Sequence, residues 1–291
     1  METAKDIRIM GILNLTGDSY YAPSRHLDAQ WRPDLDALLE HAGEMAAAGA
    51  DILDLGACST RPGAAPIPEQ EEWRRLEPGL RALHEAFPYL TLSIDTTRAD
   101  IVRKSYGLVG PFWINDISAG EDDPAMLQTA GRLGLPYVAM HKRGTPQDMQ
   151  ERTDYAPDPE RPELSPVTAA VLRYFRDFGV RAEKAGIRDW ILDPGFGFAK
   201  TLPQNYDLLR EMDVLQEAGR PILVGISRKS MIYKLLGISP EEALAPTQVL
   251  HWAALERGAS ILRVHDVAEA VRTVRLFRSL SAGESPVSAK K

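Results

Sequence analysis

Short apolar runs recur along the whole chain, at residues 7–13, 52–55, 90–94, 112–114, 137–140, 190–192, 222–224 and 261–264. Each has the length of a β-strand. Several are nearly continuous rather than alternating, as strands of a parallel sheet covered on both faces are. Between them, apolar residues fall at helical spacing over 35–48, 71–86, 124–133, 167–185, 204–218, 240–257 and 267–279, with a shorter helix over 98–105. A strand followed by a helix, eight times over in 291 residues, predicts a (β/α)8 barrel.

The polar residues separate this fold from its competitor, a doubly wound open sheet. Directly after the apolar runs stand Asn14, Gly56, Asp95, Asn115-Asp116, His141, Asp193-Pro194, Ser227-Arg228-Lys229 and Arg263 with His265-Asp266. A barrel gathers all eight carboxyl ends around one mouth, whereas an open sheet spreads them along an edge. The glycine-rich dinucleotide fingerprint of the open sheet is also missing after the first strand, where the chain reads Gly-Ile-Leu-Asn-Leu-Thr-Gly-Asp-Ser.

Two connections are long, 16–31 after the first strand and 141–166 after the fifth. Their Pro, Gly, Ser and charged residues give them the composition of mobile lids. No linker or composition shift divides the chain, so residues 1–280 read as one barrel domain. Residues 281–291, small and polar, read as a disordered tail.

Composition narrows the function. With 34 Lys and Arg against 41 Asp and Glu, the net charge of −7 gives no footprint for nucleic acid, so an anionic ligand needs locally clustered cations. The lone Cys58 cannot form an internal disulfide, which points to a reducing, cytoplasmic setting. The first apolar run is too short to span a bilayer and lacks a basic flank and cleavage site, and no membrane segment is expected elsewhere.

Asp95 and Asp193 end strands directly before turns and are expected at the mouth, while Asp54 lies inside the second strand. A carboxylate satisfies two N–H groups of a flat, guanidine-like edge, though the same residue also caps helices. Asn115 donates and accepts together, which suits a heterocycle edge, and asparagine is also common at turns. Ser59-Thr60-Arg61-Pro62-Gly63 is an exposed turn with one guanidinium. Ser227-Arg228-Lys229-Ser230 opens a helix after a strand, where free backbone N–H groups attract an anion.

Arg263 and His265 are taken to alternate across the end of the last strand, so both turn inward only where the strand has ended. Cations at three such junctions favour an anion site over a solvated face. The six histidines show no zinc spacing, and a magnesium ion held by Asn14 and a substrate phosphate would leave almost no trace in the sequence. Cys58 has no histidine base beside it and reads as a packing residue. No Gly-x-Ser-x-Gly elbow supports a serine nucleophile.

Seven segments together resemble the dihydropteroate synthases of the folate pathway over roughly residues 7–280: Met-Gly-Ile-Leu-Asn-Leu-Thr at 10–16, Ser-Thr-Arg-Pro-Gly at 59–63, Ser-Ile-Asp-Thr at 93–96, Ile-Asn-Asp-Ile-Ser at 114–118, Asp-Pro-Gly-Phe-Gly-Phe-Ala-Lys-Thr at 193–201, Ser-Arg-Lys-Ser at 227–230 and Arg-Val-His-Asp at 263–266. The resemblance implies a barrel that condenses 4-aminobenzoate with (7,8-dihydropterin-6-yl)methyl diphosphate and releases diphosphate. It also implies the roles. Asp95, Asn115, Asp193 and Lys229 hold the pterin, and Asn14, Arg263 and His265 take the diphosphate, with Asn14 facing Mg2+. Thr60, Arg61, Pro62, Phe198 and Ser230 form the 4-aminobenzoate side. A homodimer is likewise expected from the family.

Two departures stand out. In the first loop, Thr16-Gly17-Asp18-Ser19-Tyr20-Tyr21-Ala22 lacks the family's second aspartate, with Ala22 in its place. After the fifth strand, Lys142 stands where a methionine is commoner. Two rival readings stand: a non-catalytic or slow pterin-binding paralogue, which the altered first loop allows, and a pterin-dependent methyltransferase, which shares the barrel and the pterin carboxylates. The methyltransferase would need neither Ser-Thr-Arg-Pro-Gly nor Ser-Arg-Lys-Ser.

Overall fold

A computed structural model describes residues 7–16, 32–59, 66–145 and 147–281. Eight parallel strands close into one barrel in sequence order: β1 Arg8–Asn14, β2 Ile52–Gly56, β3 Thr91–Asp95, β4 Trp113–Asp116, β5 Tyr137–Met140, β6 Trp190–Asp193, β7 Ile222–Val224 and β8 Ala259–Val264. β8 pairs back onto β1, with Arg8 against Ile261 and Met10 against Arg263. The predicted barrel is therefore the observed one.

Helices α1 Leu35–Ala48, α2 Glu69–Ala86, α3 Ala99–Val109, α4 Met126–Leu133, α5 Pro166–Ala185, α6 Leu202–Arg210, α7 Ser230–Leu236, α8 Leu244–Glu256 and α9 Val267–Ser281 cover the outside. Local chemistry sets their ends. The Asp34 carboxylate accepts from the Ala37 amide to start α1, and Gly49, at φ 103°, ends it.

The alternation of strand side chains produces two separate apolar cores. Leu53, Leu55, Ile94, Ile114, Leu192, Val224 and Leu262 point outward and pack against the helices. Met10, Ile52, Val138, Ile191, Leu223 and Ile261 fill the lower barrel interior, with Trp113 against them. Residues two and four further along the same strands must then also face inward, nearer the mouth, and there the side chains become polar.

Several boundaries differ from the sequence expectation. The helix expected over 204–218 stops at Arg210 and continues as a 3-10 turn over Met212–Ala218. At the break, the Glu211 carboxylate accepts from the Ser165 amide at 3.1 Å and its hydroxyl at 2.7 Å, which caps α5. The helix expected over 240–257 starts with a 3-10 turn, Glu241–Ala243, before α8. Ser281, expected in the tail, is the last residue of α9, and residues 282–291 lie outside the described residues.

The connection after β5 is a built wall rather than the expected lid. Tyr155 donates to the Ala199 carbonyl at 3.0 Å, Gln150 to the Gly197 carbonyl at 3.1 Å, and Gln204 to the Thr153 carbonyl at 2.8 Å. The other long connection, at residues 17–31, lies outside the described residues. No helix among the described residues is long and apolar enough to cross a membrane.

Candidate active site

A cavity of about 260 Å3 opens at the carboxyl end of the barrel. Asn14, Asp95, Asn115, Asp193, Phe198, Lys229, Ser230, Arg263 and His265 all line it. These residues come from β1, β3, β4, β6, α7 and β8 and from the segments that follow the strands, so only barrel closure brings them together. Thr60, Arg61 and Pro62 lie outside the described residues, although Cys58 and Ser59 just before them line the same cavity.

Beneath the mouth lies a residue that the sequence reading set inside the second strand and gave no role. Asp54 is fully buried, and its Oδ1 accepts from the Ser93 hydroxyl at 2.6 Å. Its Oδ2 accepts from Asn115 Nδ2 at 3.0 Å and from Arg263 Nε at 2.7 Å. Arg263 Nη2 also donates to Asp95 Oδ2 at 2.8 Å. One guanidinium thus joins two carboxylates, and the Asn115 amide is oriented because a carboxylate only accepts. Strand parity with Ile52 and Gly56 placed Asp54 on the inner face; expecting only strand-end residues at the mouth obscured it.

The same parity corrects the reading of the last strand. Arg263 and His265 are two residues apart and share a face, and both line the cavity although β8 ends at Val264. Ser227 ties His265 down, its hydroxyl standing 3.0 Å from Nδ1. Arg228 does not join the anion site. It is buried, pairs with Asp266 at 2.8 Å and donates to the Pro240 and Glu241 carbonyls, so it fastens the start of the α8 region. Lys229 turns inward instead, donating to the Phe196 carbonyl at 2.7 Å with its Nζ 4.8 Å from the Phe198 ring centre.

Burial dominates the electrostatics. It pushes the Asp95 carboxyl up to about 7 against the pull of Arg263, with Asp54 and Glu72 adding to the rise. Asp193 is raised by burial too, opposed by Lys229. Lys229 is drawn down to about 8 by burial while Asp193 resists. His265 falls to about 3, from burial and then from the cations Arg263, Arg228 and Lys229, so its imidazole is neutral near pH 7. The Cys58 thiol is raised by burial and by Glu72, which makes it a poor nucleophile.

His141 does not line the cavity; it stands 3.1 Å from Lys200 Nζ and edge-on to Tyr174. Lys142, the departure after β5, is buried in an ion pair with Asp122 at 2.7 Å. The cavity wall also includes Met140, Met149, Gln150 and Tyr233, none of which carries a motif signal in the sequence. The arrangement gathers two carboxylates, an amide, an ammonium, a guanidinium and a neutral imidazole around one cavity. It suits a heterocycle carrying an anionic substituent.

The model of the family described as "Pterin binding enzyme" matches residues 10–265. The dihydropteroate synthase of Escherichia coli K12 is 40% identical over 280 residues, covering 95% of this chain and 93% of that protein. The crystal structure of Yersinia pestis dihydropteroate synthase in a sulfonamide drug complex superimposes with a TM-score of 0.86 at 37% identity, covering 96% of both chains. Xanthomonas albilineans dihydropteroate synthase with 4-aminobenzoic acid gives 0.83 at 35% identity, covering 96% of this chain and 94% of that one. With the family model spanning most of the chain and relatives of this identity matching nearly end to end, the chain belongs to the pterin-binding enzyme family, alongside the dihydropteroate synthases.

Proposed function

We propose that this chain is a transferase that condenses (7,8-dihydropterin-6-yl)methyl diphosphate with 4-aminobenzoate to give 7,8-dihydropteroate and diphosphate. The observation that carries the reading is the gathering, in one barrel mouth, of the acid-amide-ammonium set Asp95, Asn115, Asp193 and Lys229 with the Arg263 guanidinium and the neutral His265 imidazole. Asp95, Asn115, Asp193 and Lys229 take the pterin. Asn14, Arg263 and His265 take the diphosphate, and Phe198 and Ser230, with Thr60, Arg61 and Pro62, form the 4-aminobenzoate side.

In this reading the bond from the pterin methylene to the diphosphate oxygen breaks, the bond to the aryl nitrogen forms, and the amine releases one proton. The electron-rich dihydropterin spreads the positive charge left on the methylene, and the Arg263 guanidinium, with Asn14 and the neutral His265 beside it, stabilises the departing diphosphate. The aryl amine is already a free base near neutral pH, so no strong base is required and positioning supplies much of the acceleration. No group of three or more His, Cys, Asp or Glu residues among the described residues could hold a metal. A magnesium ion bound through the diphosphate and the neutral Asn14 oxygen fits this donor set, and when bound it would offset the charge on the leaving group.

Mixing both substrates with Mg2+ and following diphosphate and dihydropteroate tests the proposal. Both products should appear in equal amounts. Tight pterin binding without either product would favour the non-catalytic paralogue. The homodimer expected from the family is supported by large apolar side chains left exposed on four helices, Val180 on α5, Leu235 and Leu236 on α7, Val249 on α8, and Leu276 and Leu280 on α9. Light scattering at a single-chain mass would remove it.

A further inference from the structure

Lys200 stands within the motif after β6 and is given no role by the reading above. The backbone around it is unusual, because Gly195, Gly197 and Ala199 all adopt left-handed conformations, with φ of 69°, 84° and 50°. Ala199 carries a Cβ and reaches that region only when its surroundings hold it there. What holds the segment is the Lys200 ammonium, which is buried and donates to the Gly195 carbonyl at 2.9 Å and the Phe198 carbonyl at 3.0 Å, with His141 Nδ1 at 3.1 Å. An ammonium has three N–H donors, and with His141 in the tautomer that leaves Nδ1 unprotonated the shell supplies three acceptors.

Lys200 does not line the cavity, yet the segment it gathers does. Phe196 presents its carbonyl to Lys229, Phe198 presents its ring to the same ammonium, and Asp193 Oδ1 accepts from the Gly195 amide at 2.8 Å. The segment packs closely on the residue after β5, where an added Cβ on Gly195 would stand 2.0 Å from the His141 carbonyl. Its outer edge is held independently, by Asn205 on the Gly197 amide and by Gln150 and Tyr155 on the Gly197 and Ala199 carbonyls. Loss of the ammonium would therefore loosen the inner edge, at Gly195 and Phe198, without detaching the loop.

We infer that Lys200 is a positioning residue, whose ammonium organises the carbonyls of residues 195–198 and so fixes the Phe198 wall and the acceptor of Lys229 without touching either substrate. The link to 4-aminobenzoate rests on the proposed function. Lys200→Met keeps the stem and removes the three donors. In the folded variant KM for 4-aminobenzoate should rise by about tenfold or more, while the dissociation constant of the pterin diphosphate, which feels the segment only through Gly195 on Asp193 and Phe196 on Lys229, rises by a smaller factor. Amide exchange at residues 195–199 should accelerate, with exchange in the barrel strands unchanged.

Unchanged KM and exchange in the folded variant would overturn the inference. So would equal weakening of both substrates with faster exchange throughout the barrel, which is the mark of a purely structural lysine. If the wild type makes no product, the proposed function fails, and the exchange comparison alone decides whether Lys200 holds the loop. If the methionine variant does not fold, the wild type still decides. At pH 6, below the value of about 7 to which burial draws this ammonium, nitrogen NMR should find His141 protonated on Nε2 with Nδ1 accepting. A proton on Nδ1 would refute the three-acceptor shell.

Discussion

Arg263 Nε donates to Asp54 Oδ2 at 2.7 Å, joining the last inward residue of β8 to a carboxylate that no solvent reaches. The pair is also what keeps Asn115 turned correctly, because the same oxygen accepts from its amide nitrogen.

Asp54→Ala should therefore damage the protein well before any substrate is added. It removes the acceptor of three donors and leaves Arg263 paired to Asp95 alone, and breaking a buried pair in this way costs about 3–5 kcal/mol. Urea unfolding of the variant measures that loss directly. A change below about 1 kcal/mol would mean that Asp95 alone satisfies the guanidinium.

Asp193→Asn should leave the fold intact and weaken the pterin. One carboxylate oxygen is already committed to the Gly195 amide at 2.8 Å, so in the amide variant the oxygen stays with Gly195 and the NH2 group faces the ligand. A donor then meets the donors of the pterin edge, which should cost roughly 2–4 kcal/mol of binding. Calorimetry with a pterin diphosphate reads it; unchanged affinity would take Asp193 out of the site.

These two residues mark how far the sequence could be read. Asp193 was legible because it ends a continuous apolar run directly before Pro-Gly, which sets it at the mouth end of its strand. Asp54 was hidden by having apolar neighbours on both sides; the alternation of strand side chains, which puts it inside the barrel, becomes decisive only once closure is known. Arg228 and Lys229 are adjacent cations with opposite fates, and nothing local distinguishes them. Asp266, 38 residues on, is what draws Arg228 away. The break after α6 was equally silent, since Glu211 leaves the helix to cap α5, a partner 46 residues earlier.

Stability should fall with acid through a residue far from the cavity. His251 on α8 is fully buried, with Nδ1 3.2 Å from Gln248 Oε1 and no partner for Nε2, and burial lowers it to about 3 from 6.5. A histidine held neutral in the folded state contributes its full stability above its unfolded value, near 6.5, and loses it as pH falls toward 3, because only the unfolded chain then takes up the proton. Between pH 8 and pH 5 this amounts to about 2 kcal/mol. His251→Leu, which cannot take up that proton in either state, should show a shallower decline by that amount in parallel urea titrations at the two pH values. Asp95, raised to about 7, acts in the opposite direction in both proteins and cancels from the difference. Equal slopes would show that His251 is not the group responsible.

The last prediction concerns charge in the proposed pterin site. Burial brings the Lys229 ammonium down to about 8, so it loses its proton in a range where Arg263 stays charged and Asp95 has already ionised. Lys200, drawn to about 7, has titrated earlier. If the ammonium of Lys229 holds the pterin, affinity should fall above about pH 8, once Asp95 has ionised, approaching tenfold for each further unit as the neutral amine takes over. Lys229→Met should bind more weakly at pH 7 and show no such fall between pH 8 and pH 10. The comparison separates charge from shape, because methionine keeps the packing of the stem against Phe198 while supplying no donor to the Phe196 carbonyl. A wild type whose pterin affinity stays level from pH 8 through pH 10, beside a weak methionine variant, would assign Lys229 to packing and leave the pterin with Asp95, Asn115 and Asp193.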